Sequence, residues 1–389
     1  MKVINDSIDR AFKDAVAGGV FPAAEVLSAK GGEILLHARY GDAREETCFD
    51  ISSITKPFST ATLAMMQVAE GLLSLDDSVY QWLAGARQAA HRQMTVRMLL
   101  NHTSGLPAWQ PYYRELPLSL VGTEAGKRMM LESCYAEELV SEPGTRTLYS
   151  DVGYIMLGEI IEQAGGAPLD ELFAQRVARP LSLKDTFFVR NVGAPVITGR
   201  RTTTSPDQHV PTPKHGVPSE RPGRRDGENR RFAATEDCPW RERVVHGEVH
   251  DQNAYALGGV AGHSGLFSTA SDLHAFAKEL VACRRGESDF IPPEVVRAFI
   301  PDEERRPAGD EYALGWNRPS RRDSASGHRF SPNTIGHLGF TGCSIWIDLA
   351  KDFWIVLLTN RIHPSTMNEK IAAFRPRIHD LIVDELIGS

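Results

Sequence analysis

Apolar residues recur along the chain with two different periods. Ile8, Phe12 and Val16 are spaced for one face of an opening helix. Ala23 to Ser28 and Glu33 to Ala38 then flank Lys30-Gly31-Gly32, which predicts a β-hairpin closed by a glycine turn. Cys48-Phe49-Asp50-Ile51 reads as a further extended segment leading up to Ser53. After it, Phe58, Ala61, Ala64, Met65 and Val68 return at helical spacing until Gly71 stops the run, and Pro57 is tolerable only in that helix's first turn. Past the Pro143-Gly144 turn, Val152, Tyr154, Ile155, Leu157, Ile160 and Ile161 mark a second helix with Tyr149 at its entrance. Gly342 to Asp348 and Phe353 to Asn360 read as buried strands before a closing helix from about Met367 to Leu386.

This order predicts an α/β (α+β) fold. The N- and C-terminal strands pair in one antiparallel β-sheet flanked by helices, and a helical subdomain is inserted between them. The α/β subdomain covers about 1–59 plus 306–389 and the mainly helical one about 60–305, with no internal repeat. Residues 200–243 are crowded with Pro, Arg, Thr and Asp and carry little periodicity. They read as a lid over a pocket or as a solvated insertion, and the charge runs favour the insertion.

Composition narrows the class without naming it. Hydrophobic residues are 42% of the chain and charged residues 24%, enough for a sizeable core. A net charge of −7 argues against a general nucleic-acid binder. The five cysteines are scattered and form no C-x-x-C pair, so reduced thiols in a cytoplasmic protein are the simplest account. The first ten residues carry charges where a signal peptide needs an apolar core, and no apolar run approaches the roughly 20 residues of a spanning helix. The expectation is a cytoplasmic chain with no membrane or nucleic-acid partner and an oligomeric state that cannot be read.

The chemistry begins at Ser53-Ile54-Thr55-Lys56, the only Ser-x-x-Lys in the sequence. Residues i and i+3 share a helix face, so the Lys56 amine can sit beside the Ser53 hydroxyl. A desolvated lysine can take a serine proton near neutral pH, and a helix N-terminus favours developing negative charge. The tetrad alone also arises by chance. A second cluster is Tyr149-Ser150-Asp151, where a phenol beside an ammonium could relay a proton to a leaving group, or could simply pack under the turn while Ser150 or Asp151 caps the helix. A third is Gly336-His337-Leu338-Gly339-Phe340-Thr341-Gly342, whose glycines open the backbone to close approach by a ligand, or make an ordinary tight turn.

Other candidates are weaker. His246 and His250 lie four apart near carboxylates, but Gly247 and Val249 speak against a helical turn, and a third ligand is missing, so no metal is expected. His102 and His263 in glycine-flanked loops read as backbone partners. Trp109, Tyr112 and Tyr113 could wall a cleft or pack. The absence of Gly-x-Ser-x-Gly argues against an α/β-hydrolase elbow.

Taken in order, the three clusters resemble the signatures of the serine β-lactamase and penicillin-binding protein superfamily: Ser-x-x-Lys, a middle motif and Lys-Thr-Gly on a strand. The likeness is greatest to its esterase and class C-like branch, whose middle motif is Tyr-x-Asn. Leu99 to Pro107, Glu142-Pro143-Gly144, Gly258 to Leu266 and Tyr312 to Trp316 match as well, and the likeness spans about residues 8–386. The resemblance implies Ser53 as acylated nucleophile, Lys56 as its base and Tyr149 as proton relay. It also implies an oxyanion hole from the N–H groups of Ser53 and Phe340, with His337-Leu338-Gly339 in place of the third motif. Two departures stand out: Asp151 replaces Asn, and His337 replaces Lys.

The expectation is therefore a serine hydrolase acting through an acyl-enzyme on small esters, as a carboxylesterase or acyl transferase, with no cofactor. A β-lactamase or D-Ala-D-Ala-type peptidase is the alternative within the superfamily. A catalytically silent binding or scaffold protein is the alternative of another class, which retention of Ser53, Lys56 and Tyr149 together disfavours.

Overall fold

A computed structural model describes residues 6–83, 85, 89–191, 231–302, 312–320 and 322–388. The segment 200–230 of the irregular stretch lies outside the described residues. Its remainder, 231–243, contributes short strands at Arg231–Phe232, Asp237–Cys238 and Arg243–Val244.

The predicted hairpin forms between Ala23–Lys30 and Glu33–Gly41, and positive φ at Gly31 and Gly32 supplies the turn. Ala23–Lys30 then pairs with Phe353–Thr359 from the far end of the chain, with Ala24 opposite Thr359 and Lys30 opposite Phe353. The sheet continues through Ser344–Asp348, Thr334–Leu338, Trp316–Asn317 and Tyr312–Ala313, seven antiparallel strands in all.

Strand period explains why its centre is apolar on both faces. Phe353, Ile355 and Leu357 face one core with Ile8, Phe12, Ile378 and Ile382 of the first and last helices. Trp354, Val356 and Leu358 face the other, against Phe58, Leu63, Ile160 and Phe276. Each such side chain contributes about 1.5–3 kcal/mol relative to exposure, so the first and last segments are bound together through the sheet.

The closing helix runs Ile371–Leu386, four residues later than the sequence pattern suggests for its start. The Asn368 amide donates to the carbonyls of Gly19, Val20 and Arg361 at 3.0–3.1 Å, which pins the preceding chain as a turn and leaves Met367 83% exposed. A smaller sheet, Phe187–Phe188, Leu266–Ser268, Thr47–Asp50 and Arg231–Phe232, delivers the chain to Ser53.

Candidate active site

The approach to Ser53 is built by a buried carboxylate. Asp50 ends its strand and accepts the N–H of Ser52 at 2.8 Å and that of His250 at 2.7 Å. These bonds offset part of the burial that raises its pKa. Ser52 adopts φ +50°, uncommon for a residue with a side chain. A 3₁₀ turn over Ser52–Ile54 follows, then a wide π-type turn over Lys56–Ala61, then a regular helix over Thr62–Ala69. Pro57, with no N–H to close a regular turn, sits in the wide one.

The three-residue spacing places Lys56 Nζ 3.0 Å from Ser53 Oγ. Lys56 is fully buried, and Nζ also lies 3.0 Å from the His263 carbonyl and 2.7 Å from Asp151 Oδ1. Burial lowers the amine's pKa, and the Asp151 carboxylate only partly offsets it. Tyr149 hydrogen-bonds Ser53 through its phenol, and its ring stands 4.9 Å from Nζ. Its pKa is nevertheless raised far above the ordinary phenol value, first by burial and then by the Asp151 charge. An ammonium alone would favour the ionised phenol; these two effects outweigh it, and Tyr149 rests as a proton donor.

Ser150 caps the following helix, Asp151–Gly165, by accepting the N–H of Gly153 at 3.0 Å. That leaves the Asp151 carboxylate free to turn toward Lys56. His102 Nδ1 accepts the N–H of Ser150 at 3.1 Å, the backbone role expected of it, and its ring packs 4.5 Å from Tyr149.

The facing wall is the third cluster. His337 lies in the strand Thr334–Leu338 with its ring turned inward, 6.1 Å from the Tyr149 ring. Its Nδ1–H donates to the Leu338 carbonyl at 2.9 Å, while Nε2 has no hydrogen-bond partner among the described residues. Burial, then the Lys56 charge, lowers its pKa to about 3, so it is neutral at physiological pH. Gly339 has a steric role: a Cβ there would stand 2.6 Å from the Ile51 carbonyl, so this turn can press against the approach to Ser53 only as glycine. The Phe340 N–H donates to Ser52 Oγ at 3.2 Å. Its ring is 50% exposed and lies between the His250 ring at 5.5 Å and the Arg361 guanidinium at 4.7 Å.

A cleft of about 730 Å³ opens between these walls, lined by Ser53, Tyr149, Asp151, Leu338, Gly339 and Phe340 among others. His337 is not among its lining residues. Trp109, 44% exposed, stands on the rim, whereas Tyr112 and Tyr113 are buried, one bonded to Glu137 and the other packed on Trp240. Charges in the cleft are divided: Asp151, Asp251 and Glu369 lie on its lining, and so do Arg361 and Arg375 from the C-terminal segment.

Sequence reasoning missed Asp251, which sits 2.9 Å from His263 Nε2. Burial alone would raise its pKa, but His263 and the Ala254 N–H hold it well below the usual carboxylate range. The two imidazoles considered as metal ligands part company: His246 bonds the Phe232 carbonyl, while His250 faces Glu236 at 3.2 Å. Among the described residues no group of three or more His, Cys, Asp or Glu could hold a metal ion.

A second cavity, of about 610 Å³, lies apart from this cleft around Lys127, whose amine pairs with Glu162 and lies 3.8 Å from Glu159. No helix among the described residues is long and apolar enough to cross a membrane.

The family model described as Beta-lactamase matches residues 8–376. A protein of Salmonella typhimurium named "Putative D-alanyl-D-alanine carboxypeptidase" is 27% identical over 401 aligned residues, covering 95% of this chain and 87% of that one. The octameric penicillin-binding protein homologue from Pyrococcus abyssi superposes with a TM-score of 0.65 at 21% identity, covering 97% of this chain and 76% of the other. EstCE1, a hydrolase with promiscuous acyltransferase activity, gives 0.64 at 22% identity over 95% and 97%. At these identities the superpositions establish the fold.

Proposed function

This chain belongs to the beta-lactamase family and is a serine hydrolase, and from that premise we propose that it cleaves small uncharged carboxylic esters through an acyl-enzyme on Ser53. One observation carries the reading. Lys56 and Tyr149 both reach Ser53 Oγ, while the third-motif position holds a buried neutral imidazole instead of a fixed cation.

In the proposed reaction Ser53 Oγ attacks the ester carbonyl as its proton passes to the neutral Lys56 amine. The oxyanion is received by the N–H groups of Ser53 and Phe340, the latter exchanging Ser52 Oγ for the substrate oxygen. Tyr149 then gives its phenolic proton to the departing alkoxide and recovers one from Lys56. Water repeats the sequence in reverse to release the acid; an alcohol in its place makes the enzyme an acyl transferase. Preorganised donors of this kind contribute about 10²–10³ in rate each.

With a neutral His337 and the Asp151 carboxylate where the β-lactam-handling relatives carry Lys and Asn, these two positions hold a substrate carboxylate poorly, and the cations left on the cleft are Arg361 and Arg375 of its C-terminal wall. Short-chain p-nitrophenyl esters are therefore expected to turn over clearly, and penicillins and cephalosporins slowly or not at all. The names of the Salmonella relative and the family support the other reading, a β-lactamase or D-Ala-D-Ala-type peptidase. Measuring kcat/KM for both substrate classes on one preparation decides between them: a higher value for a cephalosporin than for the best ester overturns the esterase reading. A cytoplasmic location belongs to the same proposal, and five buried cysteines that form no disulfide fit a reducing compartment.

A further inference from the structure

The Lys56 amine has three acceptors in reach: Ser53 Oγ, the His263 carbonyl and Asp151 Oδ1 at 2.7–3.0 Å. Two of these contacts are hydrogen bonds and the third is a close charge pair with Asp151, whose attraction favours the protonated amine, a form with no lone pair with which to take a proton. Burial favours the neutral amine and the Asp151 carboxylate favours the ammonium, so the two oppose each other at Lys56. On the reading that Ser53 is the nucleophile and Lys56 its base, we propose that Asp151, 2.7 Å from the amine, is the positioning residue that favours the ammonium form of Lys56 and thereby sets the pH at which the base becomes available.

The pair is poised for that role. Lys56 is wholly buried and the Asp151 side chain is 19% exposed, so their attraction is only weakly screened by solvent. The base forms when the ammonium releases one proton to solvent, giving a neutral amine. That amine then takes the Ser53 proton as the Oγ–carbon bond forms, and charge is conserved at each step.

The other groups around Lys56 hold fixed charge through the working range. His102 and His337 are neutral, because burial lowers both. Tyr149 and Tyr154 keep their protons, because burial raises both. Asp251 stays ionised against His263. Tyr312 also acts on the amine electrostatically. Asp151 is accordingly the neighbour whose removal alters the amine most.

The sign follows. The free amine is the active form, so kcat/KM falls as pH drops through the Lys56 pKa. An adjacent carboxylate raises that pKa, and an opposite charge at this distance acts by about one to three pH units. Asp151→Asn should therefore move the acidic limb of kcat/KM for a p-nitrophenyl ester down by about one to three pH units, raising the rate below the wild-type limb. Asp151→Glu, which keeps the charge, should leave the limb within about half a unit of wild type.

A fluorophosphonate probe with intact-mass detection is run on the same preparations. An Asp151→Asn limb that coincides with wild type while Ser53 still labels overturns the proposal alone. Wild-type enzyme that neither labels at Ser53 nor turns over esters overturns the underlying reading instead. Should Asp151→Asn fail to fold, Asp151→Ser takes its place: its limb should fall by the same one to three pH units, and a limb that coincides with wild type overturns the proposal in the same way.

Discussion

Two lysines sit beside carboxylates in two cavities of this molecule, and the proposed mechanism uses only one. Lys127, in the 610 Å³ cavity, keeps its side chain 25% exposed. Burial pulls its pKa down, but Glu162 and Glu159 together outweigh that and raise it. Lys56 is fully buried, meets one direct carboxylate, and its pKa is lowered. Among the described residues no serine lines the Lys127 cavity, whereas Ser53 Oγ lies 3.0 Å from Lys56. A salt bridge alone therefore says little about function. What distinguishes the lysine proposed as base is that desolvation exceeds its charge compensation and that the Ser53 hydroxyl lies beside it.

The contrast breaks most completely by removing the hydroxyl. Ser53→Ala should abolish fluorophosphonate labelling and reduce ester kcat/KM by about 10⁴-fold or more. Labelling that survives would place the nucleophile elsewhere. Next in size, Lys56→Ala and Tyr149→Phe should each cost about 10²–10⁴-fold. If they serve one proton path, the double variant loses far less than the product of the single losses. Fully multiplicative losses would assign them to separate steps.

Lys127→Ala sharpens the comparison from the other side. Ester turnover should stay within about twofold, while urea unfolding shows a loss of about 1–3 kcal/mol from carboxylates left facing one another. A tenfold fall in kcat/KM without a stability change would give the second cavity a part in catalysis.

The smallest effect lies in the alkaline dependence of stability. Lys127 has a raised folded pKa, so its contribution is present below the ordinary lysine value of 10.5 and disappears as pH rises through the folded value. The Lys127→Ala deficit should thus shrink at high pH. Lys56 has a lowered folded pKa, so the native state binds protons less readily than the unfolded chain, and its cost is relieved as pH rises toward 10.5. Any gain in stability from Lys56→Ala should accordingly be greatest near neutrality. Parallel pH–stability curves for the two variants would show that the two lysines share one electrostatic environment.

Legibility in the sequence followed the range of the interaction. The hairpin, the helix after Tyr149 and the Ser53–Lys56 pairing rest on neighbours within a few residues, and each is found where its spacing places it. The pairing of first and last strands was also readable, because Phe353 to Leu358 is a continuous apolar run that needs cover on two faces and the β-rich N-terminal segment is at hand to pair with it. The charge of Asp251 on Lys56 was not, since the two residues are brought together only by the fold, as is the His263 carbonyl that Lys56 meets 207 positions along the chain. The hold of Ser52 on the Phe340 N–H spans 288 positions and turns on a positive φ that no composition signals. His337 lay in a readable motif, yet its inward turn follows from the register that sets it opposite Ile345. Charge in a motif can be read locally; the direction in which a buried pKa moves depends on everything packed around it.

The five thiols give the enzyme a quiet background for sulfur chemistry. All are buried, and burial pushes Cys134 up to about 12 and Cys343 up to about 11, so neither offers thiolate to an alkylating reagent in the native state. Cys343 lies between the sheet and the Asp50 carbonyl that supports the approach to Ser53. Its modification by a maleimide would record opening of that junction, and successive mass increments at the other four would time the rest of the unfolding. A cysteine installed at the exposed Met367 would meanwhile be the one readily labelled sulfur among the described residues, a place to mount a reporter beside the cleft without altering any native thiol.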